Sequence, residues 1–162
     1  MRLGQGVEWA VHCCTLLAVV PPGQAMPAAK LAEYHGVPGP YLAKQLQALS
    51  AAGIVESVPG PRGGYRLARP ATEVTVLDVV LAVEGDDAAF TCTEIRCNGP
   101  GACAPSDFPR PCGIARVMWD AEAAWRRSLG EHTIAELLDG ALRDSPEEKL
   151  RVSGAWIGEA IR

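Results

Sequence analysis

Residues 39–69 read GPYLAKQLQALSAAGIVESVPGPRGGYRLAR, and this stretch determines the fold. Its first half has leucines at positions 42, 46 and 49, which lie on one stripe of a helix. The pattern predicts a helix that Pro40 opens, that runs through Ala52 and that Gly53 ends. Residues 54–68 then place two β-prone arms around a turn rich in glycine and proline, which predicts a β-hairpin.

Two further helices are predicted upstream of this stretch. Residues 5–20 form an apolar segment that a Pro-Pro-Gly run ends, and residues 26–35 form a short helix closed by a glycine. Two short helices joined by a few residues that include glycine are typical of a helix-turn-helix, and the hairpin after them makes it a winged helix. In such a domain the third helix enters the major groove of DNA, and Arg62 at the tip of the wing is placed to contact the neighbouring backbone.

The residues after the wing predict four more helices. Residues 75–84 carry valines at helical spacing, and residues 113–129 form a longer helix with an apolar stripe. Two shorter helices follow at 132–142 and 146–161. The predicted fold class is mainly α with a small β-hairpin. The predicted organisation is a winged helix-turn-helix DNA-binding domain at 1–84 with its wing at 54–68, a cysteine-rich loop at 85–112, and a long helix with C-terminal helices at 113–162.

Four of the six cysteines lie between residues 92 and 112. This segment is rich in glycine and proline and has no apolar period, so it is predicted to be an irregular loop. Loops of this length normally either bind something or are disordered, and the four thiols favour binding. Gaps of four, five and eight residues separate Cys92, Cys97, Cys103 and Cys112, without the close pairs typical of structural zinc sites. The spacing favours an iron–sulfur cluster over zinc, and disulfides are least favoured because nothing marks the chain for export.

Composition limits the classes of function. The sequence has 162 residues, 48% of them hydrophobic, which suits one domain with an appendage. Residues 1–70 contain six basic and three acidic side chains, whereas the remaining residues contain nine and sixteen, so nucleic acid is expected to contact the first half. Neither a secretory signal nor a membrane span is recognised, so a cytoplasmic location is expected. No nucleotide-binding glycine loop, Ser/His/Asp set or C-x-x-C pair indicates an enzyme.

Several runs carry a resemblance to a known family. They are residues 41–42, residues 49–57, Gly60 and residues 63–69, followed by the cysteine loop. With them the sequence resembles the Rrf-two family of bacterial winged-helix regulators, the group that includes IscR, NsrR and RsrR, over most of the chain. One departure concerns the wing, because a proline at position 59 stands where these wings commonly carry arginine, and the arginine follows three residues later.

The resemblance implies a transcriptional repressor without catalytic activity that binds double-stranded operator DNA as a homodimer, with the helix at 113–129 in the dimer interface. A long apolar helix packs only one face against its own domain, which also favours a partner. The residues predicted to contact DNA are Arg2, Lys30, Tyr41, Lys44, Gln45, Arg62 and Arg66.

The first helix supplies candidate ligands other than cysteine. Glu8 and His12 are four residues apart and therefore face the same way, and a carboxylate with an imidazole can bind a transition metal. The alternative is an ordinary surface pair on a helix. Relatives complete their cluster with a residue from this helix of the partner subunit. The run from Glu8 to His12 resembles the RsrR branch, in which both residues ligate.

The resemblance implies four ligands to a 2Fe–2S cluster, two loop cysteines from one subunit and two residues of the first helix from the other: Cys92, Cys112, Glu8 and His12. Cys97 and Cys103 are then spare thiols. The alternative set, similar to that of IscR and NsrR, joins Cys92, Cys97 and Cys103 to one residue that is not cysteine.

Other residues of the first helix have different expected roles. Trp9, next to the predicted carboxylate ligand, is expected to move with the redox state of the site. Cys13 and Cys14 are expected to be small core residues. The function predicted from the sequence is redox sensing by a DNA-binding regulator. The alternatives are a regulator of the same fold that uses thiols or zinc without a cluster, and a 4Fe–4S regulator that senses nitric oxide.

Overall fold

The computed structural model describes residues 3–102 and 104–162. Within them the chain is mostly helical, with one two-stranded antiparallel sheet. The elements in chain order are α1 (Gln5–Leu17), α2 (Ala28–His35), α3 (Gly39–Ala51), β1 (Val55–Val58), β2 (Gly64–Leu67), α4 (Val76–Glu84), α5 (Gly113–Gly130), α6 (Ile134–Asp144) and α7 (Glu147–Ala160). The predicted fold class, mainly α with a small hairpin, is confirmed.

The core of the winged helix forms around one face of α3. Leu42, Leu46 and Leu49, the predicted stripe, are each no more than 1% exposed. They belong to one cluster with buried residues of α1, α2 and α4. Burying a leucine side chain contributes about 2 kcal/mol, so this stripe determines which face α3 turns inward. The outer face, with Tyr41 and Lys44, is exposed.

Steric contact explains why glycine stands at the start of β2. β1 pairs with β2 so that Val55 faces Leu67. A Cβ on Gly64 would come within 2.2 Å of the carbonyl oxygen of Met26, so only glycine allows the strand to lie this close. Tyr65 and Met26 then exchange two backbone hydrogen bonds of 2.8 and 2.9 Å. The wing is thereby tied to the segment before α2.

Helices α4 and α6 begin with the same kind of cap. The Thr75 hydroxyl accepts a hydrogen bond from the backbone N–H of Asp78, and the Thr133 hydroxyl accepts one from Glu136. The two carboxylates accept from the threonine N–H groups in return, which completes a capping box at each helix. An antiparallel bridge joins Thr75 to Thr133, so the two helices start side by side.

The helix ends differ from the predictions at α1 and α2. Helix α1 stops at Leu17 instead of continuing to residue 20. Helix α2 begins at Ala28 rather than residue 26, because Met26 is engaged with the wing. The loop predicted to be irregular contains two short 3₁₀ turns, Ile95–Cys97 and Pro105–Asp107. It therefore has local order although it lacks an apolar period.

The chain divides into two compact units. One spans residues 87–128 and contains the cysteine loop with most of α5. The other combines the residues up to 86 with residues 129–162, and so contains the winged helix together with α6 and α7. None of the helices in the described ranges combines the length and apolar character needed to cross a bilayer.

Candidate metal centre and nucleic-acid interface

Two cysteines and one carboxylate converge in the unit that contains the loop. The sulfur atoms of Cys92 and Cys112 and a carboxylate oxygen of Glu94 all lie within 4.8 Å of one another, and the three residues are half-buried. Two thiolates bound to one tetrahedral metal ion lie about 3.8 Å apart, because each metal–sulfur bond is about 2.3 Å long. The two thiols are therefore close enough to share a metal, and the group fits an iron–sulfur or a zinc centre.

Cys112 stands immediately before α5, and the start of this helix acts on its sulfur. The backbone N–H groups of Ala115 and Ile114 donate hydrogen bonds to the sulfur and hold the pKa of Cys112 below its ordinary value of 9.0. The guanidinium of Arg96 lowers the pKa further. Because the thiolate is the form that ligates a metal, this environment prepares Cys112 for ligation.

Glu94 completes the converging group in an unusual backbone conformation. Among the described residues it is the one non-glycine residue with a positive φ, at 50°. Arg96 donates from Nε and Nη2 to the two carboxylate oxygens of Glu94, the second over 2.8 Å. These hydrogen bonds hold the pKa of Glu94 below its ordinary value. Glu94 was not predicted as a site residue, and its position two residues after Cys92 was the only signal in the sequence.

A cavity of about 360 Å³ lies beside the converging group. Its lining combines the three potential ligands with apolar and aromatic residues: Ala88, Phe90, Thr91, Cys92, Glu94, Pro111, Cys112 and Trp119.

The alternative set of ligands involves the inner cysteines of the loop. Cys97 is not a member of the converging group. Cys103 lies outside the described residues, as does Arg2 among the predicted DNA contacts. The choice between the two predicted ligand sets therefore stays a prediction.

Helix α1 carries the predicted non-cysteine ligands on its surface. Glu8 and His12 are both exposed, one turn apart. Trp9 is half-buried and packs against the core. The assignment of Glu8 and His12 to a metal held by a partner subunit stays a prediction, and so does the redox-coupled movement of Trp9.

The cysteines of α1 have the opposite environment to those of the loop. Cys13 and Cys14 have no exposed surface, as expected for small core residues. Burial raises the pKa of each thiol to about 12. Burial therefore favours the protonated thiol at both positions, in keeping with their place in the core.

A second histidine, which was not predicted as a site residue, lies beside His12. The ring centroids of His12 and His35 are 5.6 Å apart. Burial, followed by the proximity of His12, lowers the pKa of His35. The Nε2 atom of His35 is buried and has no hydrogen-bond partner among the described residues. Burial and the neighbouring His12 thus both favour the neutral form of the His35 imidazole.

Three of the residues predicted to contact DNA are exposed. Tyr41 and Lys44 lie on the outer face of α3, where Tyr41 is 65% exposed. Arg62 is exposed at the turn of the hairpin. A winged helix uses these two places to contact DNA, the third helix in the major groove and the wing tip along the backbone.

Other predicted DNA contacts already have partners in the chain. Lys30 donates to Glu33 over 2.7 Å and lies 5.5 Å from the centroid of the Trp156 ring. Arg66 donates to Glu56 across the hairpin over 2.6 Å. Any contact that Lys30 or Arg66 makes with a phosphate therefore competes with an ion pair.

Two side-chain contacts connect α1 directly with α3. The rings of Trp9 and Tyr41 meet edge to face, with their centroids 6.5 Å apart. The Gln45 amide lies against Gly6. A Cβ on Gly6 would come within 2.8 Å of the Nε2 atom of Gln45. The helix with the predicted Glu and His ligands therefore contacts the predicted recognition helix.

Comparison with known proteins identifies the family. The family model described as "Rrf2: Iron-dependent Transcriptional regulator" matches residues 3–140. The chain is also 33% identical over 145 residues to the HTH-type transcriptional regulator Rv1287 of Mycobacterium tuberculosis, which covers 88% of this chain and 84% of the relative. This chain belongs to the Rrf2 family of transcriptional regulators, whose members are not enzymes. The family resemblance seen in the sequence is confirmed, while the RsrR branch stays a prediction.

Solved structures with the same fold include two regulators. T. potens IscR matches with a TM-score of 0.67 at 21% identity, covering 91% of this chain and 93% of that one. CymR, the global cysteine regulator of B. subtilis, matches with a TM-score of 0.66 at 18% identity, covering 86% and 97%. At these identities the likeness shows a shared winged-helix fold and does not transfer a cofactor.

Proposed function

We propose that this chain is a transcriptional repressor that binds operator DNA as a homodimer and responds to redox state through a 2Fe–2S cluster. The observation that carries the proposal is the convergence of Cys92 and Cys112 at the start of α5. In a family described as iron-dependent, two thiols close enough to share a metal support an iron-based cofactor.

The proposed ligands come from both subunits: Cys92 and Cys112 of one, with Glu8 and His12 of the partner subunit. Glu8 and His12 are exposed on α1, so each can reach a neighbouring molecule without leaving its own helix. When bound, such a cluster supplies one-electron chemistry, at a potential that imidazole ligation raises.

The surface of α5 supports a homodimer. Four large apolar side chains of this helix are exposed, Ile114 by 67%, Val117 by 66%, Met118 by 42% and Trp119 by 41%. Contiguous exposed apolar side chains mark a protein-interaction surface. Because homodimers are typical of this family, a second copy of the chain is the proposed occupant. A dimer also brings the two winged helices together on one operator.

The contacts between α1 and α3 support a route from the cofactor to DNA. Trp9 lies between the two proposed ligands of α1 in sequence, and its ring contacts Tyr41 on the outer face of α3. Gly6, one turn earlier, contacts Gln45. A rotation of α1 would therefore press directly on α3, which is the kind of two-state element that can change operator affinity.

The test of this proposal is the His12→Ala variant, with His132→Ala as its matched control. Both remove one exposed imidazole from the protein. The proposal predicts that His12→Ala changes the visible spectrum of the cluster and weakens its retention, while the dimer stays intact by size-exclusion chromatography. The control should keep the wild-type spectrum. An unchanged spectrum and reduction potential in His12→Ala would contradict the ligand assignment.

A thiol-based regulator is the second candidate, and the same two cysteines favour it. Cys92 and Cys112 are close, and the pKa of Cys112 is lowered, so a mild oxidant such as diamide can take two electrons and two protons from them to form a disulfide. A zinc ion could occupy the same thiols. Either form would be colourless as isolated, and its DNA binding would respond to thiol reagents or chelators.

A further inference from the structure

Arg96 makes four contacts within the loop that carries the candidate metal centre. Its guanidinium donates to both carboxylate oxygens of Glu94. Its Nη2 atom also makes a long hydrogen bond of 3.4 Å to the carbonyl oxygen of Arg110. The guanidinium carbon lies 3.8 Å from the centroid of the Phe108 ring. One side chain thus joins the beginning of the loop, near Cys92, to its end, near Cys112.

We propose that Arg96 is the positioning residue of the metal centre, which closes the loop so that Cys92 and Cys112 can bind the same metal. The two cysteines are twenty positions apart in the sequence, and closing a loop of this length has an entropic cost that some contact must offset. The inference rests on the proposed function only for the identity of the resident metal, because the closure is a property of the loop itself.

Beyond Arg96, the described part of the segment is linked to α5 by a hydrogen bond of 3.1 Å that the Ala89 N–H donates to the Glu122 carboxylate. None of the described residues between 87 and 112 is buried, so no hydrophobic core organises the segment. The regular structure described there consists of two 3₁₀ turns of three residues each. In such a segment, a guanidinium that donates to both oxygens of a carboxylate and lies over an aromatic ring is a strong local constraint.

The contacts of Arg96 allow a positioning role to be distinguished from an effect of its charge alone. A planar guanidinium can donate to both carboxylate oxygens of Glu94 and lie over Phe108 at the same time, whereas a lysine ammonium supplies the same charge without this paired geometry. If Arg96 acts by position, lysine cannot replace it. If Arg96 acts only through its charge near the thiols, lysine can.

The experiment is an anaerobic titration of the full-length, metal-free protein with Co²⁺, followed by the thiolate-to-Co²⁺ absorption band. Cys97→Ser and Cys103→Ser are introduced throughout, so that Cys92 and Cys112 are the only loop thiols. Contacts that hold metal ligands in place are commonly worth about tenfold or more in metal affinity, so Arg96→Gln and Arg96→Lys should each bind Co²⁺ about tenfold more weakly. Phe108→Leu should show a smaller loss in the same direction.

Arg110→Gln is the matched control, because it removes the same charge from the same loop while keeping the backbone carbonyl that Arg96 contacts. It should bind Co²⁺ like the parent protein. Circular dichroism should show that all variants keep the helical fold. Wild-type affinity in Arg96→Lys, or an equal loss in Arg110→Gln, would overturn the positioning role.

The outcome for Arg96 is separable from the outcome for the proposed function. If the wild-type protein retains no iron but Arg96→Gln and Arg96→Lys still lose Co²⁺ affinity, the cluster proposal fails and the positioning role stands. If the wild-type protein carries a cluster and neither Arg96 variant changes Co²⁺ affinity, the reverse holds.

Discussion

Helix α1 carries two adjacent cysteines, and the cysteine loop brings two of its four cysteines together, but the environments of the two pairs are opposite. In α1, Cys13 and Cys14 are completely buried, and the pKa of each thiol rises to about 12. In the loop, Cys92 and Cys112 are half-buried and close together, and backbone N–H groups at the start of α5 lower the pKa of Cys112. One pair packs a core and the other is available for chemistry.

The difference shows that the environment, rather than the residue type, determines what a cysteine does. A thiol in an apolar core behaves as a small hydrophobic side chain, because its charged form would lose its hydration there. A thiol at a helix N-terminus gains hydrogen bonds that favour the thiolate. The comparison can be tested by changing one member of each pair.

The largest expected effect is the loss of iron from Cys112→Ser. A serine hydroxyl is a much poorer ligand than a thiolate, so the variant should contain no cluster after anaerobic purification and reconstitution. Visible absorption and iron analysis measure the loss. The matched variant Cys13→Ala should retain a full complement of iron, and comparable iron loss in both variants would remove the distinction between the two pairs.

The second effect is on alkylation of the metal-free protein. A thiol with a pKa near 12 has about a thousandfold less thiolate at neutral pH than one with an ordinary pKa, and burial slows its reaction further. Iodoacetamide should therefore label Cys112 first, with a half-maximal rate below pH 9 because its pKa is lowered, and should label Cys14 only after unfolding. Peptide mass spectrometry resolves the order, and early labelling of Cys14 would be inconsistent with its burial.

The third effect is on stability, and here a substitution in the core should have the larger effect. Cys14→Ser places a hydroxyl in an apolar site, which should lower the free energy of unfolding by about 1–3 kcal/mol. Cys92→Ser lies in the half-buried loop and should change it by no more than about 0.5 kcal/mol. Urea unfolding of the metal-free proteins, followed by circular dichroism, measures both. Equal losses would mean that the loop contributes to the stability of the core.

The smallest effect concerns DNA binding. Arg62→Gln removes an exposed cation from the wing tip, so operator affinity should fall about tenfold and the salt dependence should decrease by about one unit of slope per contact. Arg66→Gln should have a weaker effect, because Arg66 is paired with Glu56. Titrations at several salt concentrations compare the two variants, and both should keep the iron content of the wild-type protein. An effect of Arg66→Gln as large as that of Arg62→Gln would remove the difference between the two arginines.

The sequence was sufficient to predict the winged helix. The leucine stripe of α3 and the Gly-Gly turn of the wing are local patterns, and local patterns determine helices and hairpins directly. The same reasoning placed Cys13 and Cys14 in the core. The beginning of α2 was predicted less well, since Met26 pairs with Tyr65, a partner that lies far away in the sequence.

The candidate metal centre was predicted only in part. Cys92 and Cys112 could be named from the resemblance, but Glu94 and Arg96 could not, because their roles depend on how an aperiodic loop folds back on itself. Ion pairs that depend on strand register also could not be predicted from the sequence. Arg66 counts as a free cation until the register of the hairpin places it opposite Glu56.

The most direct test of the central claim is a visible absorption spectrum of anaerobically purified wild-type protein, with iron and sulfide analysis, before and after dithionite. The account predicts charge-transfer bands that bleach reversibly and about two iron atoms with about two sulfides per subunit. A colourless protein that contains zinc or no metal, and that cannot be reconstituted, would contradict the claim and favour a thiol- or zinc-based regulator.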